Sequence, residues 1–263
     1  MWFDTHCHLQ RFYDRGNLDE LLSRSLESGV KKMVTVGTSM EDWELYAMIA
    51  NRYLSTVFYS VGLHPSYVDS TWEDQVSGLK NYWKKAVKPL ALGEVGLDYF
   101  RLPKDKAESE KIVTFQKNAF HCQLLQAREL NCPVIIHSRN AFEDCVKMID
   151  ESGVDWNRVV FHCFSEGIEQ LMQIQNRGGW VSFTGILTFK GNHSLRDTFK
   201  ASDKEKVMLE TDSPYLAPVP KRGTENEPSY LHYLGSSAAE TLELPEKEFA
   251  EQIMNNSNHF YGC

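Results

Sequence analysis

The sequence predicts a closed (β/α)₈ barrel of the TIM type, with its active site at the C-terminal ends of the strands. Three observations lead to this prediction: eight short β-rich runs, amphipathic segments between them, and a length of 263 residues. Parallel strands need crossover connections, which helices supply, so the alternation indicates a parallel sheet. Eight repeats in about 250 residues favour a closed barrel, with an open doubly wound sheet as the alternative.

The predicted strands are short runs of apolar and β-branched residues, several of which end in a histidine or a carboxylate. The first contains FDTHCH, and later ones contain VGLH, VIIH and VVFH. In chain order the strands cover residues 2–9, 31–37, 56–64, 89–98, 133–139, 158–165, 180–187 and 206–212.

The segments between the strands have the spacing of amphipathic helices. Gly29, Gly153 and Gly178 stand where helix C-terminal caps are expected. The loop 213–229 is rich in proline and charge and directly follows the last strand, a position where long loops are often functional. We expect one domain over residues 1–263, with helices at 18–28, 41–53, 111–130, 140–152, 166–177 and 193–202 and two more after the last strand.

Composition excludes several classes of protein. A net charge of -8 argues against a broadly basic surface that binds nucleic acid non-specifically, although bound cations can reverse the local potential of an acidic site. No apolar run approaches the roughly 18 residues of a membrane span. The first strand begins at once and leaves no room for a signal peptide, so we expect a cytoplasmic protein with six free cysteines. No glycine-rich nucleotide-binding motif follows any strand.

Residues that can bind metals recur at the predicted C-terminal ends of the strands. Any one of them alone would more often be a hydrogen-bonded core or surface residue. Several lie in otherwise apolar runs, where unpartnered polar groups would be costly to bury, so one shared site is the better explanation. The residues are His6, His8, His64, Glu94, His137, His162 and Asp212.

The types and spacing of these residues suit divalent cations. His6 and His8 are two apart and point to the same side of a strand. The Glu94 carboxylate could bridge two cations about 3.5–4 Å apart, and His137 and His162 on neighbouring strands could supply nitrogens to the second. Asp212 could bind the first cation and accept a proton from the attacking water. Nitrogen and carboxylate donors suit Zn, Mn, Co or Ni, and Mg is possible if water completes its shell.

Other polar residues near the strand ends allow two interpretations each. His64 has no paired ligand on its strand, so a contact with substrate or with a ligand is favoured over direct metal binding. Arg139 follows His137 by two residues and could clamp an anionic oxygen or form a surface ion pair. Asp4 could orient an imidazole or make local hydrogen bonds. Lys221 and Arg222 could contact substrate, but a surface role is favoured.

An ordered set of motifs covers nearly the whole chain. It comprises FDTHCH (3–8), VGLHP (61–65), GEVGLDY (93–99), VIIHSR (134–139), HCFS (162–165), SFTGILTFK (182–190), LETDSPYLAP (209–218) and NEP (226–228). With these motifs the sequence resembles the TatD-type metal-dependent deoxyribonuclease family, within the metal-dependent hydrolase superfamily of (β/α)₈ barrels.

The resemblance implies two divalent metal ions and hydrolysis of phosphodiester bonds in DNA by a water activated at that site. Asp212 would be the base, and Glu94 would serve both ions. The implied partners are DNA as substrate, no membrane and no obligate protein. The implied residues are His6, His8, Glu94 and Asp212 at one ion, Glu94, His137 and His162 at the other, and His64, Arg139 and Asn226 in substrate binding.

Two positions depart from the family pattern, and both add negative charge. Glu166 follows HCFS where glycine is common, and Glu225 lies in KRGTENEP where the family is often basic. An alternative function is therefore an amidohydrolase-type enzyme that cleaves a small-molecule ester, amide or phosphoester. A non-catalytic binding module on a degenerate barrel is a third possibility, against which the full ligand set argues.

Overall fold

The computed structural model describes residues 1–263. Its eight strands are parallel and pair in chain order, which confirms the predicted barrel. Beyond the last strand, Cys7 forms a parallel bridge with Ser213, and the Asp212 amide donates to the His6 carbonyl at 2.9 Å, so the first and last strands meet. The strands are β1 Trp2–Cys7, β2 Val30–Thr35, β3 Val57–Val61, β4 Ala91–Asp98, β5 Val134–Arg139, β6 Val159–Phe161, β7 Trp180–Phe183 and β8 Val207–Leu209.

Helices alternate with the strands as predicted. The longest begins at Lys106, earlier than the periodicity indicated, because the Asp105 carboxylate accepts a hydrogen bond from the Glu108 amide and caps the first turn. None of the helices is both long and apolar enough to cross a membrane. They are α1 Gln10–Asp14, α2 Leu18–Glu27, α3 Met40–Arg52, α4 Trp72–Ser77, α5 Lys106–Leu130, α6 Phe142–Ser152, α7 Ile168–Asn176, α8 His193–Ala201, α9 Leu231–Thr241 and α10 Glu246–Tyr261.

The core has two parts, one between sheet and helices and a smaller one contributed by single residues of seven strands. The smaller cluster includes Phe3, Ile135 and Met208 and also contains Phe260 and Tyr261 from the end of α10. The Tyr261 hydroxyl donates to the Thr5 carbonyl at 3.2 Å. Because α10 packs its last turn on this cluster, that end of the barrel is filled and the opposite end is left for a ligand.

Strand β4 departs from simple alternation. Its pairing with β5 shifts register between Leu92 and Val95. After the shift, Val95 belongs to the outer core, and Glu94, Gly96 and Asp98 share the other face. Gly96 has a φ of 143°, and a Cβ there would lie 1.9 Å from the His137 carbonyl oxygen. Only glycine fits this close approach, which brings β4 against the part of β5 that carries His137.

Candidate metal centre

A cavity with a volume of about 850 Å³ opens at the C-terminal ends of the strands. The seven predicted metal-competent residues meet here although their strands are far apart in sequence. His137 lies within β5 and His162 directly follows β6, whereas Asp212 lies three residues beyond β8. The predicted residues that line the cavity directly are His8, His64, Glu94, His137, Arg139, His162 and Asp212.

The Glu94 carboxylate lies at the centre of the cluster and is 3% exposed. Its Oε1 atom is 2.7 Å from His137 Nδ1 and 2.7 Å from His162 Nε2. Its Oε2 atom is 3.3 Å from His6 Nε2. The two oxygens of one carboxylate therefore face two different sets of imidazoles.

A second group of donors lies beside Glu94. His8 Nε2 is 3.5 Å from Asp212 Oδ1 and 3.3 Å from His6 Nε2. The His6 ring stacks on the His162 ring at a centroid distance of 4.1 Å, which links the two groups. Asp212 adopts a φ of 52°, an unusual conformation for a non-glycine residue, as the chain turns after β8.

These residues fit divalent cations. Three groups bring their donor atoms within 4.8 Å of one another: His6, His8 and Asp212; His6, Glu94 and His162; and His64, Glu94 and His137. His6 Nδ1 is buried without a hydrogen-bond partner, so burial of this imidazole is incompletely compensated by protein contacts. Imidazole nitrogens with carboxylate oxygens are the donors that Zn and related transition metals bind.

Electrostatics lower the pKa of Glu94 and raise the pKa values of His137 and His162. Burial raises the pKa of Glu94, but the neighbouring His162 and His64 outweigh it and hold the pKa well below its ordinary value. Burial lowers the pKa of His137, but hydrogen bonds with Asp98 and Glu94 raise it overall. The pKa of His162 is raised well above its ordinary value because Glu94 and Glu210 outweigh burial. A bound cation would replace protons at these nitrogens.

Two carboxylates that the sequence interpretation did not assign lie behind the imidazoles, and one of them, Asp98, is hydrogen-bonded to its histidine. His137 Nε2 donates to Asp98 Oδ2 at 3.2 Å, which leaves Nδ1 facing Glu94. His162 Nδ1 lies 3.4 Å from Glu210 Oε1 without a hydrogen bond, because the Glu210 oxygens accept from the Cys163 amide and the Ser182 hydroxyl. Asp98 lies four residues after Glu94 on the same face of β4, a spacing visible in the sequence, whereas Glu210 lies beyond β8, where strand alternation gives no such signal. Such outer partners fix the tautomer and orientation of a metal-binding histidine.

His64 differs from the other imidazoles. Its Nδ1 atom accepts a hydrogen bond from the Ser66 amide at 3.0 Å, so a neutral ring carries its proton on Nε2. That Nε2 atom lies 3.3 Å from Glu94 Oε1. Burial lowers the pKa of His64 to about 4, so the ring is neutral at physiological pH. In this geometry a neutral His64 is a fixed hydrogen-bond donor towards Glu94.

Two glutamines of α5 hold the backbone around the centre. Gln123 accepts from the Leu63 amide at 2.7 Å and donates to the Leu63 carbonyl at 3.2 Å, next to His64. Gln116 makes the same pair of bonds with the amide and carbonyl of Asp98. Both side chains are buried. They imitate a strand partner for the loop after β3 and for the last residue of β4, a contact that local sequence patterns do not reveal.

The predicted substrate-side residues fall in different places. Arg139 is exposed at the cavity wall, and its guanidinium lies 3.8 Å from the centroid of the Phe100 ring. Lys221 lies over Tyr230 and Arg222 lies over Phe189, and neither of these cations lines the cavity. The structure thus agrees with the surface interpretation of both cations.

The predicted substrate contact of Asn226 is not supported. Its side chain is fully buried, and its Nδ2 atom donates to the carbonyls of Thr211 and Tyr215 at 2.8 and 2.6 Å. Asn226 therefore holds the loop after β8 together. Asp4 likewise accepts hydrogen bonds from the amide and hydroxyl of Thr211, at 2.9 and 2.5 Å, and orients no imidazole. Both residues stabilise the backbone segment that carries Asp212.

Comparisons with known proteins agree with this geometry. The pattern of the family described as TatD related DNase matches residues 3–262. The uncharacterized metal-dependent hydrolase YabD of Bacillus subtilis is 32% identical over 99% of both chains. The uncharacterized metal-dependent hydrolase YcfH of Escherichia coli K12 is 32% identical over 96% of this chain and 92% of its own length.

A solved structure supports the same assignment at the level of the fold. The crystal structure of YjjV, a TatD homologue from Escherichia coli, superposes with a TM-score of 0.86 at 23% identity, covering 100% of this chain and 98% of that one. The family match extends over the histidines and carboxylates of the centre, from the first strand to the loop after the last. The chain is therefore a metal-dependent hydrolase that belongs to the TatD family.

Proposed function

We propose that the protein is a deoxyribonuclease that hydrolyses phosphodiester bonds of DNA with two divalent cations. The observation that carries the proposal is the position of Glu94, whose two oxygens face separate groups of imidazoles. A carboxylate shared in this way suits a pair of cations about 3.5–4 Å apart, an arrangement common in phosphodiester hydrolysis. His6, His8 and Asp212 would hold one cation with Glu94, and His137 and His162 the other.

Divalent cations held there would supply Lewis-acid activation of the phosphoryl group and would lower the pKa of the attacking water. The protein's own part is to place the proton acceptor and to keep the site rigid. Burial raises the pKa of Asp212, but the hydrogen bond from His8 and the nearby His6 outweigh it and lower the pKa overall. Asp212 is therefore ionised at neutral pH and faces the cavity, as a general base requires.

The rim of the cavity carries the groups that a DNA strand needs. Four arginines line it and offer fork-shaped donors to phosphate oxygens. Exposed aromatic rings stand among them, and unpaired bases stack on such rings. We propose that the substrate enters as a single strand or a strand end. These rim residues are Arg11, Arg15, Arg101 and Arg139, with Phe100, Tyr67 and Tyr215.

A second candidate function is hydrolysis of a small-molecule ester, amide or phosphoester. The observation in its favour is the cavity volume of about 850 Å³, which lies within the usual range of small-ligand pockets, about 300–1,000 Å³. The net charge of -8 also opposes general attraction of a polyanion. The metal centre would serve both reactions equally, so only assays with both kinds of substrate can distinguish the two functions.

The test is to load the protein separately with Mg, Mn, Co and Zn and to offer labelled single-stranded DNA, duplex DNA and generic ester and amide substrates. We expect cleavage of DNA, faster for single strands. Arg139→Ala should slow DNA cleavage while bound metal, measured by elemental analysis, stays at the wild-type level. Turnover of a small ester with every DNA intact would overturn the nuclease in favour of the second candidate.

A further inference from the structure

Two arginines at the cavity mouth share a single counter-charge. Arg11 lies in α1 and Arg15 caps its C-terminal end, so the two are one helical turn apart on the same face. Both line the cavity that contains the metal centre. Arg11 Nη1 lies 3.2 Å from Glu225 Oε1, and Arg15 Nη1 lies 2.6 Å from Glu225 Oε2. Glu225 belongs to the long loop after β8.

Each guanidinium uses only one nitrogen in its contact with Glu225. An arginine has five N–H donors in a planar fork, so most donors of Arg11 and Arg15 remain available. The side chains are 57% and 49% exposed, and Glu225 is 35% exposed. Exposed ion pairs of this kind contribute about 0.2–1 kcal/mol, so an incoming anion can replace the carboxylate.

We propose that Arg11 and Arg15 form a seat for a backbone phosphate of the nucleic-acid substrate, and that Glu225 is an internal competitor for this seat. A carboxylate with one oxygen on each arginine occupies the position that two oxygens of a phosphate would take. Glu225 thereby weakens the attraction of the cavity mouth for polyanions. It favours a substrate that binds the two arginines with one part and reaches the metal centre with another. This inference rests on the proposed DNA substrate.

The same loop shows why Glu225 is the relevant acid. Glu227, two residues further on, pairs with Arg24 through both of its oxygens and accepts from the Ser229 hydroxyl. That pair lies outside the cavity of the metal centre. Of these two acids, only Glu225 neutralises cations that face the site.

The experiment measures how binding depends on salt. Metal-loaded wild type and Glu225→Gln would bind a fluorescent, cleavage-resistant phosphorothioate oligothymidylate over a range of KCl concentrations, followed by anisotropy. We expect tighter binding by the variant at low salt, and a plot of log K against log[KCl] that is steeper by about 0.7, the contribution of one single-strand phosphate contact. Asp150→Asn is the matched control, because it frees Arg177 on the outer helices by the same change of charge.

A second variant separates the seat from a general charge effect. Arg15→Gln alone should flatten the salt dependence, and in the Arg15→Gln background the change at Glu225 should have less than half its effect in wild type. An equal gain from Asp150→Asn, or identical slopes for wild type and Glu225→Gln, would overturn the seat. If wild type cleaves no DNA while the slopes differ as expected, the proposed nuclease fails and the phosphate seat stands.

Discussion

Replacing Asp98 by asparagine should place the wrong tautomer of His137 at the metal centre. The Asp98 Oδ1 atom accepts from the amides of Phe100 and Arg101 at 3.0 and 3.2 Å, and Oδ2 accepts from His137 Nε2 at 3.2 Å. An asparagine keeps its oxygen on the two amides, since the flipped amide would oppose its NH₂ group to two N–H donors. The NH₂ group must then face His137 and donate to Nε2, which moves the ring proton to Nδ1, the nitrogen beside Glu94.

The magnitude follows from the contacts that are lost and kept. Loss of an outer hydrogen-bond partner of a metal-binding histidine costs about 10–100-fold in metal affinity, or roughly 1.4–2.8 kcal/mol. Both backbone bonds of residue 98 survive and a neutral hydrogen bond to His137 replaces the charged one, so the unfolding free energy of the metal-free protein should fall by less than the contribution of a charged hydrogen bond, about 1.5–3 kcal/mol. The fold persists while the metal affinity drops.

The assay is a metal titration of wild type and Asp98→Asn, with urea unfolding of each metal-free protein as the check on folding. Asp155→Asn is the control, because Asp155 also accepts a backbone amide but lies at an exposed turn on the outer surface. Equal metal affinities of wild type and Asp98→Asn, with both proteins folded, would refute the tautomer argument. A loss of the folded state in Asp98→Asn would show that its backbone bonds were misjudged.

Three further experiments have definite expected outcomes. Glu94→Ala should lose bound metal and hydrolytic activity together, and unchanged metal content by elemental analysis would contradict the shared carboxylate. Because Glu94 contributes to raised pKa values of His137 and His162, metal uptake should release protons to an indicator dye, and affinity should weaken as pH falls and these rings are protonated. Burial raises the pKa of the Cys132 and Cys145 thiols to about 12, so neither should react with iodoacetamide at neutral pH until urea unfolds the chain, as read by mass spectrometry.

The parts of the fold that repeat were predictable from the sequence. Apolar runs of strand length alternate with amphipathic segments, and that alternation alone requires parallel neighbours and crossovers. The residues of the centre were recognisable because several imidazoles without a shared partner would be costly to bury in apolar strands. Asp98 shares a face of β4 with Glu94, so a place near the centre could have been expected for it. An acid next to a predicted turn nevertheless has many ordinary roles. Its contact with His137 became evident only in three dimensions.

Other features depend on contacts that no local pattern contains. The register shift between Leu92 and Val95 changes which residues of β4 face inward, and alternation counted from the start of the strand would miss it. Gln123 binds the backbone at Leu63, 60 positions away in sequence. Asn226 lies in a family motif, but its partners are carbonyls of its own loop, so motif position alone suggested the wrong use of its amide.

The centre and the rim are stabilised by different kinds of contact, and this difference decides where substrate choice can change. Glu94 and Asp98 are buried in networks whose members depend on one another, so a substitution there alters metal binding before it alters specificity. Arg15 and Glu225 meet at an exposed ion pair that contributes about 0.2–1 kcal/mol. Because a charge at the rim can change without disturbing the centre, two enzymes with one chemistry can select different anions. Changes at Glu225 and its two arginines should therefore alter which anions bind while the centre is left intact.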